Sequence, residues 1–124
     1  MIIMAPISVG ELIDKITILS IKATRIEDPI KLENVTKELI QLRAIADSIN
    51  APAELAILYK QLLMVNSDLW DIENYKRAME KDQNFGEGFV NAARQVYIKN
   101  DLRAEIKKKI NLLVGSDIVE EKSY

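Results

Sequence analysis

The sequence predicts an all-α fold: four helices forming two antiparallel hairpins in a helical bundle. Three observations predict it. Apolar residues recur at alternating spacings of three and four along most of the chain, the recurrence stops only at short Pro- or Gly-bearing breaks, and those breaks carry helix-capping residues. With 124 residues, 48% of them hydrophobic and 29% charged, the chain fits one globular domain, residues 1–124, with a core of its own.

The first helix is expected over residues 9–27. Ser8 followed by Glu11 reads as a capping box, in which the Ser8 hydroxyl accepts from the Glu11 amide and the Glu11 side chain reaches back to the Ser8 amide. Behind it Val9, Leu12, Ile16, Leu19, Ala23 and Ile26 form one stripe. Asp28-Pro29 stops this helix and starts the next, because Asp is a good N-cap, Pro suits the first helical position, and the residue before Pro avoids helical angles. Leu32, Val35, Leu39, Leu42, Ala46 and Ile49 carry the second helix, expected over 29–48. After Asn50-Ala51-Pro52, a third helix is expected over 53–80 on Leu55, Leu58, Leu62, Val65, Leu69, Ile72 and Met79. At 1.5 Å per residue it would be about 42 Å long, outreaching the first two. The "KDQNFGEG" break leads to a fourth helix over 87–114, closed by Gly115 as a left-handed C-cap. Its stripe is interrupted at "KNDLR", where Asn100 and Asp101 stand in place of apolar residues; one helix with an irregularity is the expected form. The tail, 116–124, shows no periodicity and either moves freely or docks as an arm.

Composition narrows the chemistry. There is no Cys, which removes disulfide and thiolate chemistry, and no His, the commonest acid/base group and metal ligand at neutral pH. A net charge of −2 offers no general attraction to nucleic acid, and the single lysine run at Lys107–Lys109 has no aromatic platform beside it. No stretch approaches the length of a membrane span and no signal sequence is recognised. The chain is therefore expected in the cytoplasm, with neither nucleic acid nor membrane as partner.

Several faces remain unaccounted for. In the first helix Glu11, Asp14, Ile18, Ile21 and Arg25 form a second stripe, so this helix is either central in the monomer or meets another subunit. Tyr59, Leu63, Met64 and Trp70 form a comparable surplus on the third helix. Together they are read as a homodimer interface.

Two constellations could carry chemistry. Glu11/Asp14 and Asp68/Asp71 are carboxylate pairs at the spacing that shares one helix face and can hold magnesium. Two such pairs side by side would suit magnesium-dependent hydrolysis of a nucleotide phosphate ester. From Arg94 to Ile110 the fourth helix carries Arg94, Lys99, Arg103, Lys107, Lys108 and Lys109 against Asp101 and Glu105. Lys107 to Lys109 complement a helix C-terminus, and the acidic stretch from Met64 to Glu87 would balance the rest across the hairpin. Neither explains Asn100, Asp101 and Arg103 inside an amphipathic helix, since polar groups at core positions must be paired. A buried Arg103–Asp101 pair would satisfy them. With Glu11, Asp14, Lys15, Arg94 and Tyr97 they make a candidate cluster for a small phosphorylated or carboxylated ligand, with Arg94 and Arg103 gripping the anion.

Three stretches in combination, "SVGELIDKITILSIK", "VYIKNDLRAEIKKKIN" and "GSDIVEEKSY", resemble an uncharacterised family of short all-helical bacterial and phage proteins, a domain of unknown function, over essentially the whole chain. The resemblance implies a compact helical cytosolic protein and carries no activity with it; Ser20 stands where the pattern has an acidic residue. The leading expectation is a non-catalytic binding or interaction module without a cofactor. The alternative is a helical enzyme, either a magnesium-dependent nucleotide pyrophosphohydrolase or one like the chorismate mutases, whose Asp-x-x-Arg spacing "NDLRAE" faintly resembles.

Overall fold

A computed structural model describes residues 1–124. The chain forms four helices and no strand: α1 (Val9–Arg25), α2 (Pro29–Asp47), α3 (Leu55–Lys81) and α4 (Glu87–Val114). This is an all-α bundle. Its centre is α1, which packs against α2, α3 and α4; α3 and α4 also pack on each other, while α2 lies alongside α1 alone. Leu12, Ile13, Ile16 and Leu19 of α1 meet Val35 and Leu39 of α2, Leu62, Val65 and Leu69 of α3, and Ile106 and Ile110 of α4 in one core. Ile21 of the second stripe on α1, and Ile13 off the first stripe, are buried by the chain's own helices. These two side chains need no second copy to bury them, while Ile18 of the second stripe stays half-buried. No helix is long and apolar enough to cross a membrane.

The helix ends follow from local chemistry. α1 stops at Arg25, two residues short of the expected end, because Ile26 is already extended ahead of Asp28-Pro29. The Asp28 carboxylate then accepts from the Ile30 amide at 2.9 Å and the Lys31 amide at 3.1 Å, capping α2. α3 begins at Leu55, later than the spacing suggests, since Ala53 and Glu54 are spent in a tight turn in which the Leu55 amide donates to the Pro52 carbonyl at 3.1 Å. α4 runs unbroken through the "KNDLR" interruption. Gly115, in the left-handed region at φ 70°, ends it, and the Ser116 amide returns to the Asn111 carbonyl at 2.8 Å. Between Leu69 on α3 and Ala92 on α4 no residue is buried. The far ends of these two helices thus project beyond the core, with Phe85 and Phe89 packed edge to face at 5.3 Å at the turn between them.

The start of α1 is sealed by distant parts of the chain. A helix leaves its first amides without intrahelical partners, and burial makes that costly. Here the Val9 amide donates to Ser116 Oγ at 3.2 Å, the Gly10 amide to Asn111 Oδ1 at 2.6 Å and the Glu11 amide to Ser8 Oγ at 3.0 Å. Only half of the expected capping box forms, because the Glu11 carboxylate turns to Lys107 on α4. The approach requires glycine at position 10. A Cβ there would lie 2.5 Å from the Lys107 carbonyl oxygen and 2.9 Å from Asn111 Oδ1. The obstruction is backbone, so the two helices would have to separate. Gly10→Ala is expected to destabilise the protein by about 2 kcal/mol in urea denaturation. Gly88→Ala, whose new Cβ would meet only the movable Tyr75 ring, should lie within about 0.5 kcal/mol of wild type or above it, given the helix preference of Ala over Gly.

Candidate functional site

One face of α1 presents Gly10, Asp14 and Thr17 at helical spacing, and one face of α4 presents Arg103, Lys107 and Asn111 at successive four-residue steps. These two faces meet. Asp14 is 1% exposed, and its carboxylate receives Arg103 in a two-pronged contact, Nε to Oδ1 at 2.8 Å and Nη2 to Oδ2 at 2.5 Å. α3 adds Asn66, also buried, whose Nδ2 donates to Asp14 Oδ1 at 2.9 Å and to Thr17 Oγ1 at 2.8 Å. Thr17 in turn donates to the Asp14 carbonyl at 2.7 Å. Lys107 lies 2.5 Å from Glu11 Oε2 and 3.8 Å from Asp14 Oδ2. No buried side-chain nitrogen or oxygen lacks a partner. The seam satisfies itself.

At the other end of the seam, Asn111 Nδ2 donates to Glu120 Oε2 at 3.1 Å and the Ser8 hydroxyl donates to Glu120 Oε1. The tail is thus a docked arm, its carboxylate set against the positive end of α1. Lys108 holds Glu121 at 2.9 Å and Asp101 holds Lys122 at 3.5 Å, fastening the next two residues to α4.

The electrostatics follow from these contacts. Burial alone would push the Asp14 carboxyl up, but hydrogen bonds from Arg103 and Asn66 and the charges of Arg103 and Lys107 outweigh it, leaving Asp14 below its ordinary value. The hydrogen bond to Asp14, acting against burial, raises Arg103 above its ordinary value. Glu120 is lowered: desolvation opposes the shift, and hydrogen bonds from Ser8, its own amide and Asn111 drive it.

Of the residues picked from the sequence, Glu11, Asp14, Asn100 and Arg103 come together, with Asn100 Oδ1 accepting from Arg103 Nη1 at 3.3 Å. The others do not join the seam. Asp101 is exposed and bound to Lys122, so the buried Arg103–Asp101 pair does not form; residues two apart on a helix point to nearly opposite sides, and Asp14 takes the place of Asp101. Arg94, a heptad before Asp101, shares its outward face and is exposed. Lys15 is exposed beside the seam, and Tyr97 is exposed one turn before Asp101. Asp68 is bound to Lys99 at 3.0 Å and Asp71 to Arg25 at 2.9 Å, so each of the four proposed metal carboxylates faces a cation of its own. No group of three or more carboxylates is close enough to hold a metal ion. The magnesium-hydrolase alternative required both pairs around one ion, and the geometry separates them.

Missed from the sequence were Asn66, Thr17, Asn111, Glu120, Lys122 and Tyr124. Lys107, which the charge pattern places with the helix terminus, belongs to the seam. Asn66 had a readable signal: it sits four residues after Leu62 and three before Leu69, on the buried stripe of α3.

Outside the seam, α4 and the tail enclose a groove of about 750 Å³. Arg103, Lys107, Asn100 and Asp101 form part of its wall, Tyr97 stands on the α4 side, and Lys122 and Tyr124 come from the tail. A smaller groove of about 240 Å³ opens on the other side of Arg103, between Glu11, Asp14, Lys15 and Lys22 of α1 and Glu38 of α2. The larger groove brings three cations and two phenol rings around one space.

The chain matches a family of unknown function (DUF6165) over residues 3–124 and belongs to it. No curated protein and no solved structure matches the chain.

The seam makes two expectations measurable. Asp14→Ala and Arg103→Ala should each destabilise by about 3 kcal/mol in urea denaturation, since each strands a charge, and the double variant should lose less than their sum; Asp101→Ala should stay within about 0.5 kcal/mol of wild type. The folded-state value of Asp14 is depressed, so its contribution to stability is fully present above the unfolded carboxyl value of about 4 and is lost as pH falls through the folded value. Urea midpoints measured from pH 6 to pH 2 should fall more steeply in wild type than in Asp14→Asn.

Proposed function

We propose that this protein is a cytoplasmic, non-catalytic binding module, its helices paired as two antiparallel hairpins, whose α4–tail groove takes a small phosphorylated or carboxylated ligand. The observation that carries the reading is the way Arg103 is held. Asp14 fixes Nε and Nη2 of the guanidinium, leaving Nη1 with only the 3.3 Å bond to Asn100, and both Arg103 and Asn100 line the groove. A cation held in place before the ligand arrives loses little freedom on binding. Lys107 and Lys122 line the same groove, and the exposed Tyr97 and Tyr124 rings give an apolar or flat part of the ligand a surface to rest on. Asp101 opposes the anion and sets a limit on affinity.

Titration with inorganic phosphate, pyrophosphate and citrate, followed by amide chemical shifts, tests this reading. Saturable shifts are expected at Tyr97, Asn100, Arg103 and Lys122. Lys122→Ala should weaken binding about five- to tenfold through loss of one charged contact, and Asp101→Asn should tighten it. Shifts that are linear in concentration, or that ignore both substitutions, would remove the reading.

A further inference from the structure

The stretch Met1-Ile2-Ile3-Met4 lies outside the bundle with no partner: Ile3 is 80% and Met4 87% exposed, and Ile7 is also exposed. Four consecutive large apolar residues in water are unusual in a soluble chain and mark an interaction site. At the same end of the molecule is an unfilled apolar groove of about 480 Å³, lined by Ile57 and Leu58 of α3 and by Leu112 and Leu113 of α4, with Glu54 and Lys109 beside them. Leu112 is 67% exposed, and Met64, two turns along α3 from Ile57, is 68% exposed. The groove shares no lining residue with the α4–tail groove and is a different surface.

From these observations we infer that the N-terminal arm of one copy docks in the α3–α4 apolar groove of a second copy, and that the exchange is reciprocal. Four features select this occupant. The arm, residues 1–7, has no charged side chain, and its apolar character matches a groove whose two rim charges cancel. Its base is fixed, since Ser8 is 1% exposed and held by Glu120, so the arm leaves the bundle from a defined point beside the C-terminal end of α4. Pro6 locks its own φ and keeps Ala5 from helical angles, so the arm stays extended, and its exposure shows that it does not fold back over its own chain. The reach is sufficient: seven extended residues span roughly 23 Å, while Ile57 to Met64 on a helix spans roughly 10 Å.

The size is also adequate. Reciprocal docking counts each arm and each patch twice, which brings a four-residue apolar segment and its groove toward the extent of a specific interface. Reciprocal exchange about a twofold axis closes the assembly at two copies and leaves no arm free to start a filament.

The chain has no cysteine, so single introduced thiols report contacts cleanly. Ile3→Cys and Leu112→Cys variants are prepared separately, mixed under mild oxidation, and compared with the Ile3→Cys/Leu112→Cys double variant. The expected result is a disulfide-linked heterodimer in the mixture, with light scattering of the wild-type chain reporting a dimer. Ile3→Glu and Leu112→Glu, both at exposed positions and checked for helical content by circular dichroism, should each weaken that dimer at least tenfold. A wild-type chain that stays monomeric up to several hundred micromolar would overturn the inference. So would an intramolecular disulfide in the double variant with no cross-link in the mixture, which would place the arm on its own groove. A dimer indifferent to either glutamate would overturn it as well.

Discussion

Everything in this fold is arranged around one buried carboxylate. Asp14 lies in the second turn of α1, the helix that the other three surround, and taking its charge out of water costs several kcal/mol before any partner is counted. The two-pronged contact from Arg103 and the amide of Asn66 offset that cost, and they come from α4 and α3. The net gain in stability is modest, because buried ion pairs roughly break even against apolar packing. What the contact contributes is alignment. Apolar stripes on α1 and α4 would tolerate a slide of one turn, but such a slide would set a lysine, which cannot make the two-pronged contact, opposite Asp14, and would carry the guanidinium of Arg103 away from the buried carboxylate. A charge left so is penalised far more than a methyl group out of place.

A second lock, about one turn away, works by shape. Gly10 lets the backbone of α1 touch that of α4 at Lys107, and the amides exposed by this approach are taken up by Asn111, Ser116 and Ser8. Glu120 joins Ser8 to Asn111, so the tail closes over the point where the first helix begins. The polar seam and the glycine contact specify the same relation between α1 and α4 by different physics, and agreement of this kind distinguishes one native arrangement from its neighbours. It also explains why the far ends of α3 and α4 can project with so little burial: the region that fixes the fold is elsewhere.

How far the sequence discloses this depends on the range of each interaction. Helix identity is local, and the spacing of apolar residues together with Asp28-Pro29 and Gly115 was enough to read four helices. The polar interruption at "KNDLR" was legible as something that needed a partner, and Asp14 was legible as a charge on a stripe that goes on to be buried. The partner was not legible. Helical spacing says which residues share a face and is silent on which other face they meet, so Arg103 was matched to Asp101, although two positions along a helix separate side chains by more than half a turn. Asn111 and Glu120 were beyond reach for the same reason: their contacts join residues a hundred or so positions apart in the chain. The second stripe on α1 shows a related limit. An all-round apolar helix proves burial, yet periodicity does not tell a neighbour in the same chain from one in another.

The groove beside the seam gains its properties from this division of labour. Two of the three guanidinium nitrogens of Arg103 are engaged by Asp14, so a ligand at the third would displace Asn100 and leave the α1–α4 contact intact. The groove's other wall is the tail, which contributes Lys122 and Tyr124 and is tied to the start of α1 through Glu120. Anything that binds between those walls favours the docked tail over the free one, and by linkage the docked tail favours binding to the same degree. Loss of the Glu120 contact would therefore be felt in the groove without any groove residue having changed. The charges that hold the tail down are mostly exposed pairs, each worth little and each screened by salt. The tail is accordingly the part of the site whose population ionic strength can shift, while Asp14 and Arg103, drawn together out of water, keep their geometry across the same range.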